Sequence, residues 1–165
     1  MATLEQIKKL RELTGAGIVD VKKALTEAGD NDEKAMELLR ERSSEKAGKK
    51  SDREAKEGVV ASYIHSNNKV GVVMKLLCET DFVARNEEFK ALAQDIAMHI
   101  VAMNPVCVKV EDAPAEMSEE EKSSVALLTQ PFIKNPEQTV GDLIKEKIGK
   151  IGENIQVGEF SRLEL

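Results

Sequence analysis

The chain has 165 residues, 41% hydrophobic and 33% charged, with a net charge of −6. That length suits one core domain with a small appendage, and no apolar run approaches the roughly 20 residues that cross a bilayer. Lys and Arg are interleaved with Asp and Glu under a negative balance, so neither a membrane nor nucleic acid is an expected direct partner.

The opening "MATLEQIKKLREL" is charged and amphipathic and lacks the apolar block of a secretory signal, so a cytoplasmic protein is expected. Thr3 and Gln6 have capping-box spacing, and Leu4, Ile7 and Leu10 recur at helical spacing behind them. The glycines of "TGAG" (14–17) stop this helix. Ile18, Val21, Ala24, Leu25 and Ala28 form the stripe of a second, closed by Gly29. Asp30 to Asp32 offer caps for a third, carrying Ala35, Met36, Leu38 and Leu39. Residues 1–42 thus read as a three-helix domain. Residues 43–57, "SSEKAGKKSDREAKE", carry both charges and no apolar stripe, the pattern of a solvated linker or an exposed helix.

Residues 58–165 read as a core domain. "VVASYIHS" and "KVGVVMKLLC" alternate with period two around Asn67 and Asn68, which predicts a β-hairpin. Val70, Val72, Met74 and Leu76 fall on one face, Val73 and Leu77 on the other, so both faces call for cover. Asn86 caps a predicted helix in which Phe89, Leu92, Ala93, Ile96, Ala97, Ile100 and Val101 keep to one side. Pro105 ends it, and "VCVKV" reads as a short strand or extended connector. Ser118 with Glu121, and Thr139 with Asp142, mark two more helix starts, the latter ahead of Val140, Leu143, Ile144 and Ile148. "ENIQVGEFSRLEL" is strand-like, with Gly158 placed for a bulge. The fold class is α+β: an N-terminal three-helix domain, then antiparallel strands packed with helices.

Chemistry of its own is not expected. There is no GxxxxGKS or GxxxxGKT phosphate loop, no nucleophile elbow and no HExxH helix. Cys78 and Cys107 lie outside metal-ligand spacing among apolar neighbours, which predicts buried reduced thiols. His65 and His99 have no partner at ligand spacing and read as surface or packing residues. No enzyme, cofactor or metal site is therefore anticipated, which leaves binding.

"TDFVARN" (80–86) places Asp81 beside Phe82 just where an apolar strand ends, in a chain only 3% aromatic. A local reading has Thr80 or Asp81 cap a turn, Asp81 pair with Arg85, and Phe82 pack underneath. The other reading has Phe82 enter a partner. "TGAGIVDVKKAL" likewise combines a tight turn with apolar residues at a helix start, for which a plain helix with a buried face is the simpler account.

"LRELTGAGIVDVKKAL" (10–25), "LCETDFVAR" (77–85) and "KIGENI" (150–155) resemble, in order, three signature regions of the elongation factor Ts family. The resemblance implies a ubiquitin-associated-like N-terminal domain, and a role as guanine-nucleotide exchange factor for elongation factor Tu in its GDP-bound and nucleotide-free forms. It implies that Thr80, Asp81, Phe82 and Val83 approach that GTPase near its Mg²⁺ site, and that Ile18, Val19, Lys22 and Lys23 touch it from the N-terminal domain. Longer family members carry a second core subdomain and a helical hairpin before the KIGENI region, and 165 residues are too few for both. A homodimer pairing through the uncovered sheet face is the expected compensation. The rival reading is a passive interaction module with a dimerising core.

Overall fold

The computed structural model describes residues 2–165, which divide into two compact units, 2–52 with Lys145–Glu153, and Arg53–Ile144 with Asn154–Leu165. In the first, α1 spans Leu4–Thr14, α2 Ile18–Glu27 and α3 Asp32–Gly48. The Thr3–Gln6 capping box forms, and Gly15 ends α1 at φ 66°, its N–H donating to the Arg11 carbonyl. A side chain at Gly15 would meet both that left-handed strain and the methylenes of Lys150, 2.6 Å from an added Cβ. Asn31 caps α3 by accepting from the Lys34 amide.

Ile7, Leu10, Val21, Ala24, Leu25, Ala35 and Leu39 make the core of this unit, the stripe the helical spacing marked. Leu4, expected on it, is exposed. The physical reason is rotation: strict three-residue steps drift about 60° per step off a face that turns every 3.6 residues. Gln6 closes the bundle at one end, donating to the Asp30 carbonyl and to Asp32, both at 2.9 Å. Asp20 meets Lys46 at 2.9 Å, and that hydrogen bond holds its carboxyl below the usual range. The third helix covers the first part of the charged stretch, and Lys50 beyond it donates to the Gly152 carbonyl.

In the second unit, β1 (Glu57–Ile64) and β2 (Val70–Cys78) form the predicted hairpin, with Asn68 at φ 56°. After α4 (Asp81–Ala84) comes α5 (Glu87–Met103), capped by Asn86 as expected. The "VCVKV" segment is a connector, bridged once at Cys107 to Ala126. Then follow α6 (Glu119–Val125), the small ladder β3 (Pro131–Phe132) with β4 (Asn135–Thr139), α7 (Val140–Ile151) and β5 (Gln156–Glu164). Both predicted capping boxes, Ser118–Glu121 and Thr139–Asp142, are formed.

The main sheet is antiparallel in the order β1-β2-β5. Its inner face, with Ala61, Val72, Met74, Leu76 and Cys78, is buried, as are Phe89, Leu92, Ala93, Ile96, Ala97 and Ile100 of α5, which packs on β1 and β2. A register shift opposite Lys75 makes the bulge anticipated at Gly158, where an added Cβ would lie 3.0 Å from that of Lys75. The outer face is open in the single chain: Val60, Ile64, Val73 and Leu163 are all more than half exposed. Cys78 is buried as expected. Cys107 is only half-buried, its thiol pushed up chiefly by burial and further by Asp112.

His99 packs rather than faces solvent. It is fully buried, stacks on Phe132, accepts from the Ile133 amide at Nδ1 and meets Gln130 Oε1 at 3.0 Å through Nε2. Those partners make it the neutral Nε2–H tautomer, and burial pushes its pKa below the ordinary 6.5.

Candidate partner-binding site

The segment quoted from the end of the hairpin is a single turn of helix hung on β2. Cys78, the last strand residue, donates its thiol to the Thr80 carbonyl at 3.2 Å. Thr80 has extended backbone and accepts the Val83 amide on its hydroxyl at 3.5 Å. The Thr80 carbonyl also takes the Ala84 amide, and that of Asp81 takes the Arg85 amide. Ala84 is buried and anchors the turn. Asp81 and Arg85 are 3.1 Å apart.

So the local reading holds for Thr80, Asp81 and Arg85 and fails for Phe82. The ring does not pack beneath its own turn: Phe82 is 81% exposed. In a four-residue helix only one side can face the sheet, and Ala84 takes it, which turns the residue two positions earlier outward. Thr80, Asp81 and Val83 are half-buried around it. An exposed phenyl on a turn tied to a sheet is a preorganised apolar contact with little conformational entropy left to lose. The Asp81–Arg85 pair lies in solvent, where such pairs contribute only about 0–1 kcal/mol, so its carboxylate can change partners at small cost.

In the first unit, Gly17 stands at the N-cap of α2 without a side-chain cap, and the first helical turn presents Ile18 and Val19, 47% and 65% exposed. Lys22 and Lys23 follow, also exposed, while Val21, Ala24 and Leu25 face the core. The simpler account of this stretch, a helix with a buried face, is thus what forms, and Ile18 and Val19 are the apolar residues it leaves exposed. Leu13, in the last turn of α1, is a further exposed apolar residue; its place about 60° past Leu10 and about 120° past Ile7 sets it off the inward face.

The base of the Phe82 turn holds residues that no periodicity marks. Glu79, between β2 and the turn, accepts the Asn154 backbone amide at 2.6 Å, and Asn154, buried, donates its side-chain N–H to the Arg53 carbonyl at 2.7 Å. Two of the three signature stretches thereby meet. Among the described residues no group of three or more His, Cys, Asp or Glu side chains could hold a metal ion, and no helix is long and apolar enough to cross a membrane.

A model of the family described as elongation factor TS matches residues 4–126. The elongation factor Ts of Carboxydothermus hydrogenoformans is 45% identical, covering 100% of this chain and 89% of its own length. That of Thermodesulfovibrio yellowstonii is 45% identical, covering 99% and 96%. The chain belongs to the elongation factor Ts family. It thus comes from a family of translation elongation factors. The elongation factor Ts of Rubrobacter xylanophilus is 44% identical with both chains fully covered. The alignment to the Carboxydothermus protein spans 194 positions against 165 residues, so it runs 29 positions longer than this chain. Within the aligned region the Carboxydothermus protein therefore carries residues that this chain lacks.

Proposed function

We propose that this protein is the guanine-nucleotide exchange factor of elongation factor Tu, acting in the cytoplasm without chemistry of its own. One observation carries the reading: in a member of this family, Phe82 stands 81% exposed on a turn anchored to the sheet. The ring inserts between two elements of the GTPase beside its Mg²⁺ site. That ion bridges nucleotide phosphates to the protein and requires near-ideal octahedral geometry, so a small shift weakens it. Burying the phenyl supplies roughly 1.5–3 kcal/mol, which is coupled to the distortion. Asp81 exchanges its exposed pairing with Arg85 for polar groups around the ion, while Thr80 and Val83 frame the contact. Ile18, Val19, Lys22 and Lys23 hold the GTPase from the N-terminal unit. Coupling is reciprocal: by whatever factor this protein weakens nucleotide binding, nucleotide weakens its grip, so GTP entry releases it.

Two copies pair through the outer sheet face. Ile64 and Leu163 flank Gly71 in register, with Val73 two residues along β2 and Val60 on β1. Exposed apolar residues grouped on one sheet face, here between Ser62, Ser161 and the Lys75–Glu159 pair, are covered most simply by a two-fold partner.

Release of a fluorescent GDP analogue from a bacterial elongation factor Tu tests the reading. The protein at micromolar concentration should accelerate release by orders of magnitude, and Phe82→Ala should lose most of that gain. An unchanged release rate with the wild-type protein would leave only a passive binding module.

A further inference from the structure

We propose that Glu79 and Asn154 are positioning residues, a side-chain rung that sets the angle at which the Phe82 turn leaves the sheet. The backbone ladder between β2 and β5 ends at Leu77 and Gln156. Continuing that register by two residues on each strand brings Glu79 opposite Asn154, and there the Glu79 carboxylate replaces the missing carbonyl, accepting the Asn154 amide at 2.6 Å. A carboxylate acceptor makes a shorter and stronger bond than a neutral carbonyl. Asn154, only 2% exposed, passes the constraint on through its side chain to the Arg53 carbonyl, ahead of β1. Arg53 in turn lies 3.6 Å from Glu79.

The segments flanking all three strands are thus tied together at one end of the sheet, and Thr80 is the next residue after Glu79. Without the rung, the turn keeps its local hydrogen bonds and the buried Ala84 anchor but loses this tie at the point where it leaves the strand. Four residues of helix are too few to be stable by themselves. The turn would then pivot about Ala84 over a wider range of angles, and Phe82 would meet its target in only part of that range. The functional half of this inference rests on the exchange reading above; the structural half rests on geometry alone.

Four variants test it: Glu79→Ala, Glu79→Gln, Phe82→Ala, and the double variant Glu79→Ala with Phe82→Ala. Amide hydrogen exchange followed by NMR on the isolated proteins reads the rung directly. In Glu79→Ala the Asn154, Ala84 and Arg85 amides should exchange about tenfold or more faster, with the interior of α5 unchanged. Glu79→Gln keeps an acceptor oxygen but loses the charge, and should restore part of the protection.

In GDP release, Glu79→Ala should be about tenfold slower than wild type, Glu79→Gln between the two, and the double variant no slower than Phe82→Ala. That last result separates positioning from general weakening, since residues acting through one contact are not additive. Wild-type protection at Ala84 and Arg85 in Glu79→Ala, or a double variant whose losses multiply, overturns the proposal. A wild-type protein that leaves release unchanged overturns the exchange reading and the functional half with it, and the amide protection then decides the rung.

Discussion

Asp81 and Arg85 close over one turn of helix at 3.1 Å, and Phe82 beside them is left out of the contact and in solvent. The ion pair and the ring therefore separate stability from binding. Because Phe82 touches little of its own fold, Phe82→Ala should change stability by no more than about 0.5 kcal/mol. Losing a buried phenyl at the interface removes roughly 1.5–3 kcal/mol, so GDP release should slow about 10- to 100-fold. Urea denaturation and GDP release on the same preparation check both halves. A large stability loss would mean that the ring serves the fold.

Charge on the outer sheet face should prevent pairing. Val73 lies in the central strand between Ser62 and Ser161 and is 52% exposed. A carboxylate there, in Val73→Asp, would be buried unpaired in a dimer, which costs more than a dimer contact returns. Light scattering at micromolar concentration should give twice the chain mass for wild type and one chain mass for the variant. A monomeric wild-type protein defeats the proposed pairing.

The C-terminal end of α5 takes its positive charge from another strand. Its last turn has no basic residue, and Arg162 of β5 donates from Nε and Nη2 to the Val101 carbonyl at 3.2 and 3.1 Å. The guanidinium serves both an orphan carbonyl and the negative end of the helix dipole. Arg162→Ala should cost about 1.5–3 kcal/mol in urea denaturation, as for hydrogen bonds to a charged group. Lysine should recover only part, since it lacks the fork. An unchanged denaturation midpoint in Arg162→Ala would contradict this.

His99 should make the fold acid-sensitive. Burial lowers its proton affinity below the ordinary 6.5, with the Gln130 hydrogen bond only partly opposing. The unfolded chain takes up a proton near that value and the fold does not, so the unfolded state binds more protons and stability rises with pH there. The contribution is complete above about 6.5 and drains away as pH falls from there towards the folded value. Urea midpoints from pH 7.5 to 5.5 should therefore decline more steeply for wild type than for His99→Gln, which cannot titrate. Parallel profiles would assign the acid sensitivity to other groups.

Much of this was legible beforehand because it is local. Thr3, Ser118 and Thr139 meet partners three residues away, and those capping boxes need nothing beyond their own turn. The alternation of β2 told its faces apart, since Val72, Met74 and Leu76 are buried while Val73 is not. The exposure of Phe82 was not legible. Its neighbours allowed a ring tucked under the turn or one facing out, and the choice depended on Ala84 filling the only space against the sheet.

Spacing and residue type by themselves determined most of the elements, their caps, most of the inward stripes and the stretches shared with a family, all of which depend on neighbours within a few residues; the β3–β4 ladder had no such signal. Only the tertiary structure decided that Glu79 meets Asn154, 75 positions away, and that Lys145–Glu153 cluster with the N-terminal helices. It also decided that the phenyl ring of Phe82 points into solvent. Such contacts are set by how strand register and helix packing bring remote segments together, and no period in a linear chain encodes a meeting of that length.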